Sequence, residues 1–155
     1  MSVDAGKKAY LTDVPELLAE WDTEKNDPAL SPTAITVGSN RRVWWRCKKG
    51  HSWEETVVKR THDGKPCPYC TNKRVLLGYN DLSTLYPDIA KEWDHEKNSQ
   101  VDINSVVPGS AKRAWWKCSV CGSSWDATIR SRTQRGTDAL RARERLFGKT
   151  AKRNC

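Results

Sequence analysis

The residues best suited to chemistry are four metal-ligand side chains in two close pairs. Cys47 and His51 form one pair, and Cys67 and Cys70 form the other. Thiolate and imidazole groups bind Zn²⁺, and two pairs on two tight turns can complete a tetrahedron. Gly50 lies inside the first turn, where the backbone must bend sharply. The pattern predicts a structural zinc site. A buried cysteine cluster or a disulfide is the alternative, but the paired spacing is more specific than scattered thiols.

These ligands belong to one copy of an internal repeat with a period of roughly 70 residues. Residues 15–26 return as residues 87–98, and Trp-Trp-Arg-Cys at 44–47 returns as Trp-Trp-Lys-Cys at 115–118. A period of this length is too long for a simple solenoid unit, so each copy is expected to be a small domain. Apolar residues make up only 37% of the chain. Such small domains rarely bury enough apolar surface by themselves, so bound metal would supply folding free energy.

The second copy repeats only half of the ligand pattern. Cys118 and Cys121 form a Cys-x-x-Cys turn, but alanines, which cannot ligate a metal, stand where the second pair would fall. Cys155 is the one later thiol that could contribute. Three possibilities stay open: an empty site, a site closed by Cys155 with water or another chain, and a truncated repeat with a divergent tail.

Each copy is expected to open with a short helix. In the first copy Asp13 is the predicted N-cap, and Glu16 would complete a capping box. Trp21 falls on the apolar face of this helix, and we expect it to pack in the core. The helix should end near Asn26, because Pro28 follows.

A metal-bearing hairpin is predicted next. Residues 41–46 and 53–60 are rich in aromatic and β-branched side chains, which favours two strands around the first ligand turn. Alternation places Trp44 and Trp45 on opposite faces, so one should be buried and the other could lie on a surface, where it could stack on a base or contact a sugar. The alternative is that both tryptophans shield the metal and cover the helix. A second ligand pair followed by a helical turn at 71–75 is the order of a treble clef. A zinc ribbon with two hairpin knuckles is the alternative.

The predicted fold class is therefore small α+β zinc-binding modules in tandem. We place the first repeat, with a complete site, at residues 1–76 and the second, with an incomplete site, at 77–137. Residues 138–155 read as a basic tail with helical spacing of apolar residues.

The charge points to an anionic partner. The formal net charge is +8 and the isoelectric point about 9.3, so nucleic acid is the first expectation and an acidic protein surface the second. The N-terminal residues lack the features of a signal peptide, and no apolar run approaches the ~20 residues needed to span a bilayer. We expect no membrane partner, a cytoplasmic location (at the nucleoid if DNA is bound) and thiolates rather than disulfides. The oligomeric state is left undetermined.

Several short motifs carry a family resemblance. Leu-x-x-Glu-Trp-Asp and Lys-Asn precede Trp-Trp-x-Cys, Gly-His-x-Trp, Arg-Thr and Cys-Pro-x-Cys. This set resembles a bacterial and phage family of probable treble-clef or zinc-ribbon repeats of uncharacterised function. The resemblance implies Zn²⁺ at the four ligands of the first copy, with only Cys118 and Cys121 on ligand positions in the second. The family occurs in tandem and sometimes beside restriction-endonuclease-like domains, which implies a role connected with DNA.

The function expected is a non-catalytic module that binds duplex DNA through basic side chains. The residues expected to contact nucleic acid are Arg41, Arg42, Trp44, Arg46, Lys48, Lys49, Lys59, Arg60, Lys73 and Arg74 in the first copy, and Lys112, Arg113, Lys117, Arg130, Arg132 and Arg135 in the second. One alternative is an adaptor that docks onto an acidic protein. Another is a metal-dependent nuclease, or an accessory domain of one, using His62 or His95. We expect no enzyme, because four protein ligands would leave the zinc without an open position.

Overall fold

The computed structural model describes residues 8–135. The chain divides into two compact units, and the boundary falls between Thr71 and Asn72. Each contains short helices and one antiparallel β-hairpin, which confirms the predicted class of small α+β modules in tandem. The division into 1–76, 77–137 and 138–155 stays a prediction, and the tail lies outside the described residues.

The two units follow a similar order of elements, except that the second opens with a short α-helix where the first has a 3₁₀ turn. The first contains α1 (Pro15–Leu18), β1 (Arg42–Arg46), β2 (Ser52–Thr56) and α2 (Val57–Thr61), with 3₁₀ turns at Leu11–Asp13 and Pro32–Ala34. The second contains α3 (Leu82–Leu85), α4 (Pro87–Ala90), β3 (Arg113–Lys117), β4 (Ser124–Thr128) and α5 (Ile129–Arg135), with a 3₁₀ turn at Ile103–Ser105. No helix within residues 8–135 is long and apolar enough to cross a bilayer.

The hairpin of the first unit separates its two adjacent tryptophans. Trp45 pairs with Trp53 across β1 and β2 and is fully buried, whereas Trp44 faces outward and is half-buried. Burial alternates along β1 because successive side chains of a strand point to opposite faces. In the second unit Trp116 pairs with Trp125 and is fully buried, and Trp115 faces outward. The hairpins thus build two tryptophan cores, one in each unit.

The opening helix is shorter than the sequence predicts. α1 ends at Leu18, not near Asn26, and its N-cap is Val14. Asp13 instead belongs to the preceding 3₁₀ turn, where its carboxylate accepts a hydrogen bond from the Tyr10 N–H at 2.8 Å. Residues after α1 leave the helix because they pair with β1, where Trp21 forms an isolated bridge with Trp45. Tertiary pairing has overridden the local helical pattern.

Two polar side chains fasten this segment to the hairpin. The Asn26 amide donates to the Trp44 carbonyl at 2.7 Å and accepts from the Trp44 N–H at 2.8 Å. The buried Asp22 carboxylate accepts from the Ser52 hydroxyl at 2.5 Å. Burial alone would raise the pKa of Asp22, but the Ser52 hydroxyl and two backbone N–H groups outweigh it and hold that pKa below its usual value.

The second unit repeats both fastenings. The Asn98 amide donates to the Trp115 carbonyl at 2.8 Å and accepts from the Trp115 N–H at 2.9 Å. The Asp94 carboxylate accepts from the Ser124 hydroxyl at 2.6 Å. The repeated Trp-Asp and Asn residues are therefore the parts of a scaffold that closes each hairpin onto the segment before it.

The segment that enters the second unit is also held by side chains. The Asn80 amide accepts from the Leu76 N–H at 2.6 Å and donates to the Arg74 carbonyl at 3.0 Å. Asp81 is fully buried and caps α3 by accepting from the Thr84 N–H at 2.9 Å. Burial alone would raise the pKa of Asp81, but the hydroxyl and N–H donors around the carboxylate lower it to about 2.

Candidate metal centre and nucleic-acid surface

The four ligands of the first repeat lie together as a tetrahedral set. The Cys47 sulfur lies 3.9 Å from the Cys70 sulfur, and the His51 Nδ1 lies 3.5, 3.8 and 3.3 Å from the sulfurs of Cys47, Cys67 and Cys70. All four ligand atoms lie within 4.8 Å of one another. Zinc–ligand bonds of about 2.3 Å to sulfur and 2.0 Å to nitrogen give tetrahedron edges of about 3.8 and 3.5 Å. The cluster therefore has the dimensions of a zinc site.

Both turns direct backbone N–H groups at a sulfur. Burial raises the pKa of the Cys47 thiol, but the N–H groups of Lys49 and His51 outweigh it and bring that pKa below its usual value. Burial raises the pKa of the Cys67 thiol to about 11, against the opposing effect of two N–H groups in its own turn. Gly50 has φ +85°, a conformation that side-chain-bearing residues rarely adopt. Backbone N–H groups therefore favour the thiolate at Cys47, whereas at Cys67 burial outweighs them.

The surroundings of the cluster orient the imidazole and enclose one side. The Tyr69 ring meets the His51 ring edge to face, with centroids 6.0 Å apart. Cys67 is buried among the core residues of the unit, whereas Cys70 is exposed. Four protein ligands complete a tetrahedral site, so a metal here would lack an open position for substrate. The arrangement suits a structural role.

The second unit has a similar ligand turn that is one residue longer. The Gly122 N–H donates to the Cys118 carbonyl at 2.9 Å and Gly122 has φ +70°, as the Gly50 N–H does to the Cys47 carbonyl at 2.8 Å in the first unit. Cys118 is half-buried and Cys121 is exposed. Cys121 is disulfide-bonded, so the expectation of thiolates rather than disulfides is wrong for this residue.

Among residues 8–135 only the first unit presents a cluster able to hold a metal. Cys155, the predicted contributor to the second site, lies outside the described residues.

Two of the predicted phosphate contacts are buried and act in the core. Arg60 and Arg132 are each 6% exposed. Arg60 forms a salt bridge with Glu20 and lies 5.5 and 5.6 Å from the ring centroids of Trp45 and Trp53. These two arginines are removed from the predicted nucleic-acid surface because their guanidinium groups are held inside the fold.

Arg132 makes the equivalent contacts in the second unit. It pairs with Glu92 and lies 5.5 and 5.7 Å from the rings of Trp116 and Trp125. The acidic partners, Glu20 and Glu92, were not singled out from the sequence. The signal that could have found them is the repeat itself, which keeps Glu and Arg 40 residues apart in both copies.

Other predicted contacts are exposed but already paired with carboxylates. Arg42 lies 3.3 Å from Glu54, and Lys59 lies 3.4 Å from Glu55. Arg46 pairs with the buried Asp22 and with Glu24. Arg113 pairs with Asp126 in the second unit. Surface ion pairs are weak, so a phosphate could compete with the carboxylate for the cation. Each such replacement would leave the carboxylate without its cation.

A third group of predicted contacts is exposed without a salt bridge among residues 8–135. Within the described part of the chain, seven of the predicted cations are exposed and form no salt bridge: Arg41, Lys48, Lys73, Arg74, Lys112, Lys117 and Arg130. Lys49 is exposed on the same turn as Lys48, and Arg135 is the last residue of α5. Lys48 follows the ligand Cys47, and Lys73 and Arg74 come soon after Cys70. Positive charge therefore flanks the ligands of both turns along the chain.

The outward tryptophans have partners that sequence reasoning missed. The Lys25 ammonium lies 4.4 Å from the centroid of the Trp44 ring, and the Lys97 ammonium lies 4.3 Å from that of Trp115. His62 and His95, the residues considered for a nuclease, are both exposed, and neither belongs to the four-residue metal cluster.

Comparison with known proteins agrees with this geometry. No curated protein gives a significant match to the chain. A family described as a probable treble clef zinc finger domain matches residues 17–73 and 89–138, one segment for each unit. The matched segments cover more than half of the chain, and the first contains all four clustered ligands. The chain thus belongs to the probable treble clef zinc finger family, as two tandem copies.

Proposed function

We propose that this protein is a zinc-stabilised module that binds nucleic acid, in the first place duplex DNA, and has no catalytic role. The observation that carries the proposal is the basic charge around the metal cluster. Lys48 lies on one ligand turn, and Lys73 and Arg74 follow the other, without salt-bridge partners in the described structure. A Zn²⁺ ion bound by both turns would order the chain next to these cations, and each cation could then contact a phosphate.

The metal has a structural task in this proposal. Three thiolates and one imidazole are the donor set that Zn²⁺ prefers over Mg²⁺ or Ca²⁺. Their four atoms would fill its tetrahedron, so the ion orders the turns and takes no part in a reaction. Removal of the metal should therefore weaken DNA binding by loosening the basic turns.

A salt titration tests the proposal. Binding of a labelled duplex is followed by fluorescence polarisation at salt concentrations from about 50 mM to about 200 mM, over which phosphate contacts weaken steeply. The combined variant Lys73→Gln, Arg74→Gln should reduce the slope of log K against log salt by about 0.9 for each phosphate that the variant no longer neutralises. Lys91→Gln is the matched control, because Lys91 is an exposed cation that pairs with Asp88 on α4.

Three outcomes contradict the proposal in different ways. Absence of duplex binding at low salt would refute it and favour the adaptor for an acidic protein. An equal loss of slope for each charge removed in Lys91→Gln would show that binding follows net charge rather than the cations next to the ligands. DNA cleavage in the presence of Mg²⁺ or Mn²⁺ that is lost in His62→Ala would assign the chain to the nucleases.

A further inference from the structure

Both copies of the repeat keep an outward face that the scaffold does not require. We call it the Trp–Lys face; it comprises Lys25, Arg42, Trp44 and Glu54 in the first unit and Lys97, Arg113, Trp115 and Asp126 in the second. In each unit an ammonium lies over an indole ring, and an arginine–carboxylate pair lies on the same side of the hairpin. The two faces match position by position.

The scaffold accounts for the other repeated side chains. Asn26 and Asp22, with their counterparts Asn98 and Asp94, fasten the hairpins. The outward indoles have no comparable task, because the core is filled by the inward tryptophans of each hairpin. Trp115 is 38% exposed. Trp44 is half-buried. An outward aromatic side chain that recurs in both copies and keeps part of its ring at the surface suits a binding role.

The metal cluster, unlike the Trp–Lys face, is not repeated among the described residues of the second unit. Cys47 has a counterpart in Cys118, but the second unit has no four-ligand cluster among its described residues. The Trp–Lys face is complete in both units. What the two copies share at their surface is therefore this face rather than the metal cluster.

We propose that each Trp–Lys face binds an unpaired nucleotide, with the base stacked on the indole and a flanking phosphate on the lysine. This inference rests on the proposed binding of nucleic acid and adds a preference for single-stranded segments. Every base has a π-face that can stack on an aromatic side chain, whereas bases inside a duplex already stack on one another. The lysine and the arginine on the same side supply positive charge for the phosphates.

The lysine over each ring does not block the base. An exposed lysine–indole contact is weak, and stacking of a base on an aromatic ring is the stronger interaction. The ammonium can thus leave the ring and move to a phosphate when a base takes its place. The same lysine that covers the indole in the unbound protein becomes an electrostatic contact in the complex.

The test compares single-stranded and duplex DNA on the full chain loaded with zinc. Fluorescence polarisation measures binding of labelled oligothymidine and of a labelled duplex. The combined variant Trp44→Leu, Trp115→Leu should lower affinity for oligothymidine about tenfold or more and leave duplex affinity within about twofold. Replacement of the same residues by tyrosine should restore single-strand binding. Leu77→Ala, at a leucine that is 70% exposed, is the matched control for loss of surface apolar area.

A second variant tests the lysines and keeps both indoles. Lys25→Gln with Lys97→Gln should reduce the salt slope for oligothymidine by about 0.7 for each phosphate that these lysines neutralise in the wild-type complex. Zinc content and hydrogen-exchange protection of the hairpins confirm that each variant is folded.

The outcomes separate the two proposals. Duplex binding together with oligothymidine binding that is unchanged in the leucine variant would overturn this inference and leave the proposed function standing. Failure of the wild-type protein to bind either DNA would refute both. Equal competition by polyglutamate for the tryptophan-dependent site would assign the face to an acidic protein.

Discussion

Arg132 is a buried charged side chain in the core of the second unit. Its guanidinium pairs with Glu92 and lies against two tryptophan rings, and its side chain is 7% exposed. We predict that Arg132→Met, which keeps the aliphatic stem and removes the charge, strongly destabilises this unit. The methionine still packs, but Glu92 loses its partner and the rings lose the cation.

The magnitude follows from these contacts. Breaking a buried ion pair by removing one partner costs about 3–5 kcal/mol. The Glu92 side chain is 27% exposed. It can regain some water, which places the ion-pair loss near the lower end of that range. Removing the cation from the rings adds up to about 1 kcal/mol for each tryptophan. The expected total is about 4 kcal/mol, a large part of the about 5–15 kcal/mol that stabilises a typical domain.

The first unit offers a matched comparison. Arg60→Met removes the same contacts, to Glu20 and two tryptophans. A structural zinc ion contributes on the order of 10 kcal/mol to a small module. The first unit should therefore stay folded in Arg60→Met while zinc is bound and unfold when a chelator is added. The second unit, for which the described residues show no complete metal cluster, should lose protection in Arg132→Met with or without zinc.

Hydrogen exchange resolved by peptide on the intact chain distinguishes the two units. Amides of β3 and β4 should exchange about a hundredfold or more faster in Arg132→Met, since 1.4 kcal/mol corresponds to tenfold. Arg130→Met is the control, because Arg130 is exposed on the same helix and forms no salt bridge in the described structure. If β3 and β4 keep wild-type protection in Arg132→Met, the reasoning about the buried pair is refuted.

The remaining predictions concern the metal, acid and the hairpin fastenings. Elemental analysis should find one firmly held Zn²⁺ per chain, lost in Cys67→Ser and kept in Cys118→Ser; retention in Cys67→Ser would contradict the four-ligand assignment. The pKa of Asp81 in the folded protein is about 2, below its ordinary value of 3.8, so its stabilising effect is present above about pH 4 and is lost as the pH falls through 2. Asp81→Asn should therefore lower the free energy of unfolding by about 2 kcal/mol near neutral pH, and urea titrations should show the difference from wild type closing below about pH 3. Asn98→Ala should cost about 2 kcal/mol, because it leaves both backbone groups of Trp115 without their side-chain partner; a loss below about 0.5 kcal/mol, the usual range for surface changes, would argue against that role.

Local spacing was sufficient to predict the metal cluster. Cys47 and His51, and Cys67 and Cys70, each lie within one turn, so sequence separation limits how far the members of a pair can be apart. Alternation along β1 predicted that one of Trp44 and Trp45 would be buried. The repeat predicted two similar units. These inferences use either the spacing of residues that are close in sequence or the similarity between the two copies. Neither requires knowledge of how the side chains pack.

The basic residues could not be sorted in the same way. In the sequence, Arg60 and Arg42 both look like cations available to phosphate. Only the packed structure shows that Arg60 lies between two tryptophans and beside Glu20, 40 residues earlier in the chain. The same holds for the helix expected to reach Asn26, which ends at Leu18 because the following backbone pairs with β1.

The sequence by itself determined the ligand set, the two-copy organisation and the positive charge of this protein. Tertiary structure alone decided which cations remain at the surface and that lysines cover the outward indoles. The physical reason is the separation along the chain of the residues that determine each feature. A metal turn is specified by neighbours in the chain, whereas the environment of an arginine or a tryptophan is set by groups that folding brings to it from distant positions.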